Sequence, residues 1–359
     1  MFDPIQEDCL RLVLESMRRE HISPLENPLY IQRSMDAFRA DPASLIHTDH
    51  DRSFHLVAKA TEIIDYQIPF MPDDAQIDTL ADRAESYLRE AVELDSGNWD
   101  AKRMLAAMDA ETNDAYVGYL LDHRADVEAD LAAIRDAADD LYSREFAADL
   151  AARPWLRWLA ALASRALIAG QYRLSLRAAE ESLAACPQDP ADIRHTGMLA
   201  LAKLEASAEE LRRFRVQHAA AYQAALPQRR RQHPPERDLD AWTLLAEMSA
   251  AYRALDYTGA DRTLRLLLRA YPHAAQALFY QAEFPDGVYS RVSVTPGSED
   301  ELIIAISEAT PLLQEGIGTP DNAGFSTWLA EHELVQSGLD GQTARAQAPS
   351  GTRRAGGEN

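Results

Sequence analysis

The segment AWTLLAEMSAAYRALDYTGADRTLRLLLRAYP, residues 241–272, decides the fold. Apolar residues recur in it at intervals of three and four, which is the period of a helix with one buried face. Asp256 and Tyr257 interrupt this period near the middle. Pro272 ends it, because proline cannot continue a helix. We therefore predict two consecutive helices joined by a short turn.

A second segment repeats this order. WLAALASRALIAGQYRLSLRAAEESLAACP, residues 158–187, places Gly170 and Tyr172 at the turn, a small Ser175 behind them and Pro187 at the end. Small residues let two antiparallel helices approach, and the aromatic ring fills the space beside them. Because one helix pair cannot bury its faces alone, a repeated pair predicts a stacked array.

Two further segments complete the array. AESYLREAVELDSGNWDA, residues 84–101, has one apolar helical face and a polar junction, and residues 189–214 form a degenerate helix pair around Gly197. Across residues 74–285 this arrangement resembles the tetratricopeptide-repeat superfamily. The resemblance implies an all-α fold in which antiparallel helix pairs stack as an α-solenoid with a concave binding face.

A weaker resemblance covers the C-terminal part of the chain. Residues 271–316 and the segment TWLAEH, residues 327–332, are similar to a region shared by some bacterial repeat proteins and the suppressor-of-tumorigenicity repeat proteins. This resemblance implies no biochemical activity. Within it, Ser298 followed by Glu301 is typical of a capping box, so we predict that a helix begins there.

The composition also favours helices and excludes some partners. Glycine is scarce at 15 residues, and the formal net charge is −22. Residues 61–150 carry 23 acidic and 7 basic side chains, which repel nucleic acid and anionic membranes. The one short cationic run is Arg229, Arg230 and Arg231, so we expect neither nucleic-acid nor membrane binding.

The two cysteines, Cys9 and Cys186, lie far apart and lack CxxC spacing, which predicts neither a disulfide framework nor a cysteine-ligated zinc site. The N-terminal residues lack the basic and apolar pattern of a signal peptide, and the sequence has no apolar stretch of membrane-spanning length. We expect a cytoplasmic protein.

Composition changes along the chain suggest five regions. Residues 226–238 contain three prolines and few apolar side chains, and the sequence beyond about residue 338 is too polar to bury a core. The predicted regions are an N-terminal helical region at 1–72, a helix-pair array at 73–225, a Pro/Arg-rich linker at 226–238, a C-terminal repeat with capping helices at 239–337, and a disordered tail at 338–359.

These features predict a non-enzymatic adaptor that holds an unidentified protein or peptide in its groove and needs no cofactor. The sequence has no Gly-rich phosphate loop, nucleophile elbow or Cys–His pair. A groove of mixed basic and aromatic character suits an extended or acidic peptide. Core packing is the preferred interpretation of the tryptophans, and binding their alternative. The candidate binding residues are Arg157, Trp158, Arg194, Trp242, Ser249 and Tyr252.

An alternative is a metal-dependent enzyme or sensor. Imidazoles and carboxylates at close spacing are ligand types for zinc or iron. The simpler interpretation is a polar loop in which Asp51 or Ser53 caps the following helix. The candidate ligands are His47, Asp49, His50, Asp51 and His55.

A third hypothesis is a transcriptional regulator with a helix-turn-helix near the N-terminus. The N-terminal helices carry few basic residues for duplex binding, which disfavours it.

Overall fold

A computed structural model describes residues 3–22, 27–137, 141–225, 239–271, 273–281, 297–313 and 324–339. Within these ranges all regular secondary structure is helical, so the predicted all-α class is confirmed. The chain divides into two compact units, with unit 1 holding residues 1–205 and 209–238 and unit 2 holding most of the chain from residue 239 onward.

Unit 1 contains twelve of the helices in the described residues. They are α1 Pro4–Arg19, α2 Pro28–Ala40, α3 Asp49–Glu62, α4 Asp74–Leu94, α5 Trp99–Asp109, α6 Asn113–Asp122, α7 Arg124–Asp136, α8 Leu141–Ile168, α9 Tyr172–Ala185, α10 Ile193–Lys203, α11 Ala208–Gln217 and α12 Ala219–Ala225. Short 3₁₀ turns at Pro42–Leu45 and Ile68–Phe70 and a π turn at Ile63–Gln67 join some of them.

Unit 2 contains the remaining described helices. They are α13 Ala241–Arg253, α14 Tyr257–Ala270, α15 Ala274–Tyr280, α16 Glu299–Glu308, α17 Thr310–Leu313 and α18 Gly324–Glu331. Residues 333–339 are also helical, so the first two residues of the predicted tail, 338 and 339, belong to a helix. The rest of that tail, the linker at 226–238 and Pro272 lie outside the described residues.

Polar side chains determine where several helices begin. Asp256 accepts a hydrogen bond from the Gly259 amide at 2.9 Å, which caps α14 at the turn that the sequence predicted. Ser298 caps α16 by accepting from the Glu301 amide, as predicted. The carboxylate of Glu301 accepts from the Gly297 amide rather than from that of Ser298, so the predicted capping box forms in part.

Helix α8 corrects the prediction most clearly. The sequence pattern predicts one helix at 144–151 and a second that begins at Pro154, because proline favours the first turn of a helix, but α8 continues through this proline. Leu150 and Ala151 before it and Leu156 and Trp158 after it are all buried. Because both halves pack into the core, tertiary packing outweighs the local preference of proline for a helix start.

Two cores lie within unit 1. Leu12, Val13 and Met17 of α1 pack with Phe38 of α2 and with Leu45. A second cluster joins α3, α4 and α5. It consists of Leu56, Val57, Ala60, Ile63, Ala84, Leu88, Ala91 and Ala101. Residues on both sides of the predicted boundary at 72/73 therefore share one core, whereas the change to unit 2 coincides with the end of the predicted linker.

The two segments with the clearest repeat pattern form two helical hairpins, α8–α9 and α13–α14. Ser175 in α9 is fully buried and donates a hydrogen bond to the Ala163 carbonyl of α8 at 2.7 Å. Ala260 takes the corresponding place in α14 and is also fully buried. These small residues allow the two helices of each hairpin to pack closely, as the sequence predicted.

Both hairpins turn through a left-handed residue. Gly170 has φ +76° and Leu255 has φ +58°. The next amide donates back into the first helix in each case, from Gln171 to the Ala166 carbonyl at 2.8 Å and from Asp256 to the Ala251 carbonyl at 2.9 Å. This is the Schellman arrangement, in which glycine is the preferred left-handed residue. Leu255 therefore occupies a position that favours glycine.

Candidate partner-binding surface

Arg157 was predicted to face a groove but lies in a buried ion cluster. Its Nη1 donates to Glu7 Oε2 at 2.8 Å and its Nε donates to Asp100 Oδ1 at 2.8 Å. Arg11 contacts the same Glu7 carboxylate at 3.2 Å. The cluster joins α1, α5 and α8, so Arg157 holds helices of unit 1 together rather than facing solvent.

The arginines of this cluster lower the pKa values of its buried carboxyl groups. Burial on its own would raise the pKa of Asp100, but the adjacent Arg157 guanidinium outweighs burial and lowers this pKa to about 2. The pKa of Glu7 is also lowered, because Arg157 and Arg11 outweigh the burial that would raise it. Opposite charge and hydrogen bonding thus keep both buried carboxylates ionised.

Trp158 and Arg194 are also buried in unit 1. Trp158 is 1% exposed and its indole donates to the Leu120 carbonyl at 3.2 Å. Arg194 is 6% exposed and pairs with Asp189 at 3.0 Å and Asp192 at 2.7 Å beside the start of α10. Neither side chain faces an open groove, and the core interpretation of Trp158 is confirmed.

In unit 2, Trp242 and Ser249 are buried as well, whereas Tyr252 is half-buried. The Trp242 indole donates to Glu308 Oε2 at 2.6 Å. The predicted placement on an exposed face is therefore wrong for Arg194, Trp242 and Ser249, whereas Arg157 is partly exposed but paired within the ion cluster. Tyr252 is the other candidate of the six that is partly exposed.

The candidate metal ligands contact separate partners. His50 Nδ1 lies 2.7 Å from Asp95 Oδ2, and this hydrogen bond raises the pKa of His50. His55 Nδ1 lies 2.6 Å from Asp8 Oδ2 in a buried pair between α3 and α1. The two imidazoles thus link α3 to different helices.

The remaining residues of this segment begin helix α3. The Thr48 hydroxyl accepts from the Asp51 amide at 3.0 Å, and Asp51 accepts in return from the Thr48 amide at 3.1 Å. His47 and Asp49 are exposed. Thr48 is thus the N-cap of α3 in place of the predicted Asp51 or Ser53, and Asp51 completes the capping box from the third helical position. Among the described residues no group of three His, Cys, Asp or Glu side chains is placed to hold a metal ion.

The surviving candidate, Tyr252, belongs to an aromatic cluster of unit 2. Its ring centroid lies 5.3 Å from that of Trp328, 5.5 Å from Phe325 and 5.7 Å from Tyr257. Phe325 is buried, Tyr252 and Trp328 are half-buried, and Tyr257 is 50% exposed. The cluster is thus anchored in the core and reaches solvent at the α13–α14 turn.

The turn itself presents an exposed leucine. Leu255 is 71% exposed and lies between Tyr252 and Tyr257 in the chain. We call these three residues the turn patch. The other described non-glycine residues with positive φ are His21, Asp189, Asp192, Glu205 and Gln281, so Leu255 is the aliphatic member of the set. A left-handed leucine is strained by roughly 1 to 2 kcal/mol.

Sequence reasoning did not identify Leu255 as a site residue. The signal was present in the alignment of the two hairpins, where leucine stands in place of Gly170. An aliphatic side chain at a position that requires left-handed backbone marks a departure from the repeat.

Comparison of the chain with protein-family models, curated proteins and solved structures found no match. In the described part of the chain, no helix has the length and apolar character required to cross a membrane. The interpretation of the turn patch therefore depends on its geometry.

Proposed function

We propose that this chain is a non-enzymatic cytoplasmic adaptor that holds another protein or peptide, and that the turn patch of unit 2 contributes to the contact. The observation that carries this proposal is Leu255, a strained and 71% exposed leucine where the corresponding turn has Gly170.

The energetics of the turn patch favour a bound partner. Covering an exposed leucine contributes about 1.5 to 3 kcal/mol to binding. The roughly 1 to 2 kcal/mol of backbone strain is present with or without a partner, so it lowers the stability of unit 2 and does not reduce this gain. Tyr257 adds a half-exposed ring. Tyrosine is enriched among the residues that dominate binding energy, and its ring loses little conformational entropy when it is covered. Tyr252 is already held by Phe325 and Trp328, so its orientation is fixed before binding.

The helical architecture also supports an adaptor. Successive helices in unit 1 pack on their sequence neighbours, as α3 packs on α4 and α8 on α9. Helix-pair arrays of this kind present extended surfaces to other proteins. The net charge of −22 disfavours a nucleic-acid partner. A concave solenoid groove remains part of the proposal, with lining residues other than Arg157 and the four buried side chains named above.

The test is affinity capture from native lysate with quantitative mass spectrometry. The wild-type chain is compared with Leu255→Gly and Tyr257→Ser, and circular dichroism establishes that both variants remain folded. We expect a stoichiometric protein partner whose recovery falls at least about tenfold with each variant, since a lost anchor costs more than 1 kcal/mol.

A matched control is Gln171→Ala in the corresponding α8–α9 turn, which should leave recovery unchanged. Equal recovery by wild type, Leu255→Gly and Tyr257→Ser would contradict the proposal, as would the absence of any stoichiometric partner.

A further inference from the structure

The outer face of α14, the helix that begins at Tyr257, carries three arginines. Arg262, Arg265 and Arg269 are exposed and lie three or four residues apart, so they share one side of the helix. Leu266, 43% exposed, lies among them. Arg265 pairs with Asp261 on the same helix at 2.9 Å, which leaves the face with a net positive charge.

The corresponding face of α9 differs in charge. It presents Arg177 together with Glu180, and Glu181 is partly exposed beside them. Aligning Tyr172 with Tyr257 places Glu180 at the position of Arg265, and Glu181 at the position of Leu266. The α9 face is thus an ordinary solvated face of mixed charge, and Glu181 pairs with Arg124 at 2.6 Å.

The concentration of charge in unit 2 is also unusual for this chain. In the described part of unit 2, the arginines are Arg253, Arg262, Arg265 and Arg269, and lysine is absent. Three of these four form the α14 face, while the whole chain has 58 acidic against 36 basic side chains. An acidic ligand is repelled by most of such a chain and attracted to this face, which orients its approach.

We infer that the partner contacts α14 through an acidic amphipathic helix. This inference rests on the proposed adaptor function and specifies the chemistry of the partner. The arginines from 262 to 269 span about 10 Å along α14, at 1.5 Å per residue. Glutamates at i, i+4 and i+7 of a second helix have the same spacing, and an aliphatic residue between them meets Leu266.

The direct test uses two synthetic probes. One is a fluorescein-labelled, amidated 20-residue helix with Glu at i, i+4 and i+7 and Leu between them, and the other has Lys at each Glu position. Fluorescence anisotropy with the full chain at low salt should give saturable binding of the glutamate helix and at least about tenfold weaker binding of the lysine helix. Raising the salt should weaken the binding, because exposed charge pairs are screened.

Variants locate the binding face. Arg262→Glu with Arg269→Glu should weaken binding of the glutamate helix at least about tenfold, whereas the matched Arg177→Glu on α9 should change it less than about twofold. Three outcomes would overturn the inference: no saturable binding up to about 1 mM, equal binding of both probes, or equal binding by the α14 variant. Tighter binding of an oligonucleotide, or self-association of the chain that the α14 variant abolishes, would assign the face to a different occupant.

The same variants separate this inference from the adaptor proposal. If affinity capture loses the partner with Leu255→Gly but retains it with the α14 double variant, the adaptor function stands and the acidic helix is excluded. If both variants retain the partner, both proposals fail.

Discussion

The α8–α9 and α13–α14 hairpins have the same turn and the same close packing, but the first contributes to a buried ion cluster and the second exposes a leucine at its turn. At corresponding positions of the first helices, α8 has Arg157 and α13 has Trp242. Arg157 points into the ion cluster of unit 1, and its turn is closed by a glycine. The α13–α14 hairpin closes with Leu255, which is exposed to solvent.

Features that occur in both hairpins belong to the common fold, and features that occur in one hairpin are specific to it. The Schellman turn and the buried small residue at Ser175 or Ala260 occur in both hairpins, so they belong to the common structure. The buried charges of one hairpin and the exposed leucine of the other do not recur. We therefore associate the first hairpin with stability and the second with binding.

The largest expected effect is the loss of Arg157. Arg157→Met should lower the free energy of unfolding by about 3 to 5 kcal/mol, because it leaves buried Asp100 with the longer Arg103 contact of 3.7 Å. Urea denaturation followed by circular dichroism measures this change. Arg177→Met on the exposed face of α9 is the matched control, with an expected change within about 0.5 kcal/mol. If Arg157→Met and Arg177→Met lower the free energy of unfolding by similar amounts, the ion cluster of the first hairpin does not stabilise unit 1.

The same cluster predicts acid sensitivity. The folded-state pKa of Asp100 is about 2, below its unfolded value of about 3.9, so its contribution is present above pH 4 and is lost as the pH falls from 4 to 2. We expect unit 1 to lose about 2 kcal/mol from this group over that range. Acid titration of Arg157→Met should lack this loss, and an unchanged acid slope in this variant would contradict the assignment.

Exchanging the left-handed residues tests the turns directly. Gly170→Leu should destabilise unit 1 by roughly 1 to 2 kcal/mol through backbone strain, since a Cβ at this position meets no atom closer than 3.9 Å. Leu255→Gly should stabilise unit 2 by about 1 kcal/mol. Thermal unfolding of both variants provides the measurement. Destabilisation by Leu255→Gly would show that the leucine supports the fold rather than binding.

The smallest expected effect is at the packed small residue. Ser175→Ala introduces the residue found at Ala260 and removes the 2.7 Å hydrogen bond to the Ala163 carbonyl. The loss should be about 0.5 to 1 kcal/mol, because that carbonyl also accepts within α8. Urea denaturation would measure it. A loss of stability above about 2 kcal/mol would show that the α8–α9 hairpin depends on the Ser175 hydroxyl, whereas the α13–α14 hairpin packs with alanine at this position.

The fold class and the hairpin turns were predictable because they depend on local sequence. Apolar period, Asp256 as a cap and small Ser175 all act within one helix pair. The direction of a first-helix side chain was not predictable in this way. Arg157 binds Glu7, 150 residues away, and no local pattern reports such a pairing. The continuity of α8 through Pro154 was also not predictable, because it depends on packing against residues that are distant in the sequence.

The span between Glu7 and Arg157 also affects the order of events during synthesis. A ribosome adds about 5 to 20 residues per second, so Arg157 is made roughly 8 to 30 s after Glu7. Asp100 of α5 is made 57 residues before Arg157, so during this last part of the interval it is α8 that the ion cluster lacks. The ion cluster is therefore completed only after α8 has been made, and until then the carboxylates of Glu7 and Asp100 lack the Arg157 guanidinium that neutralises them.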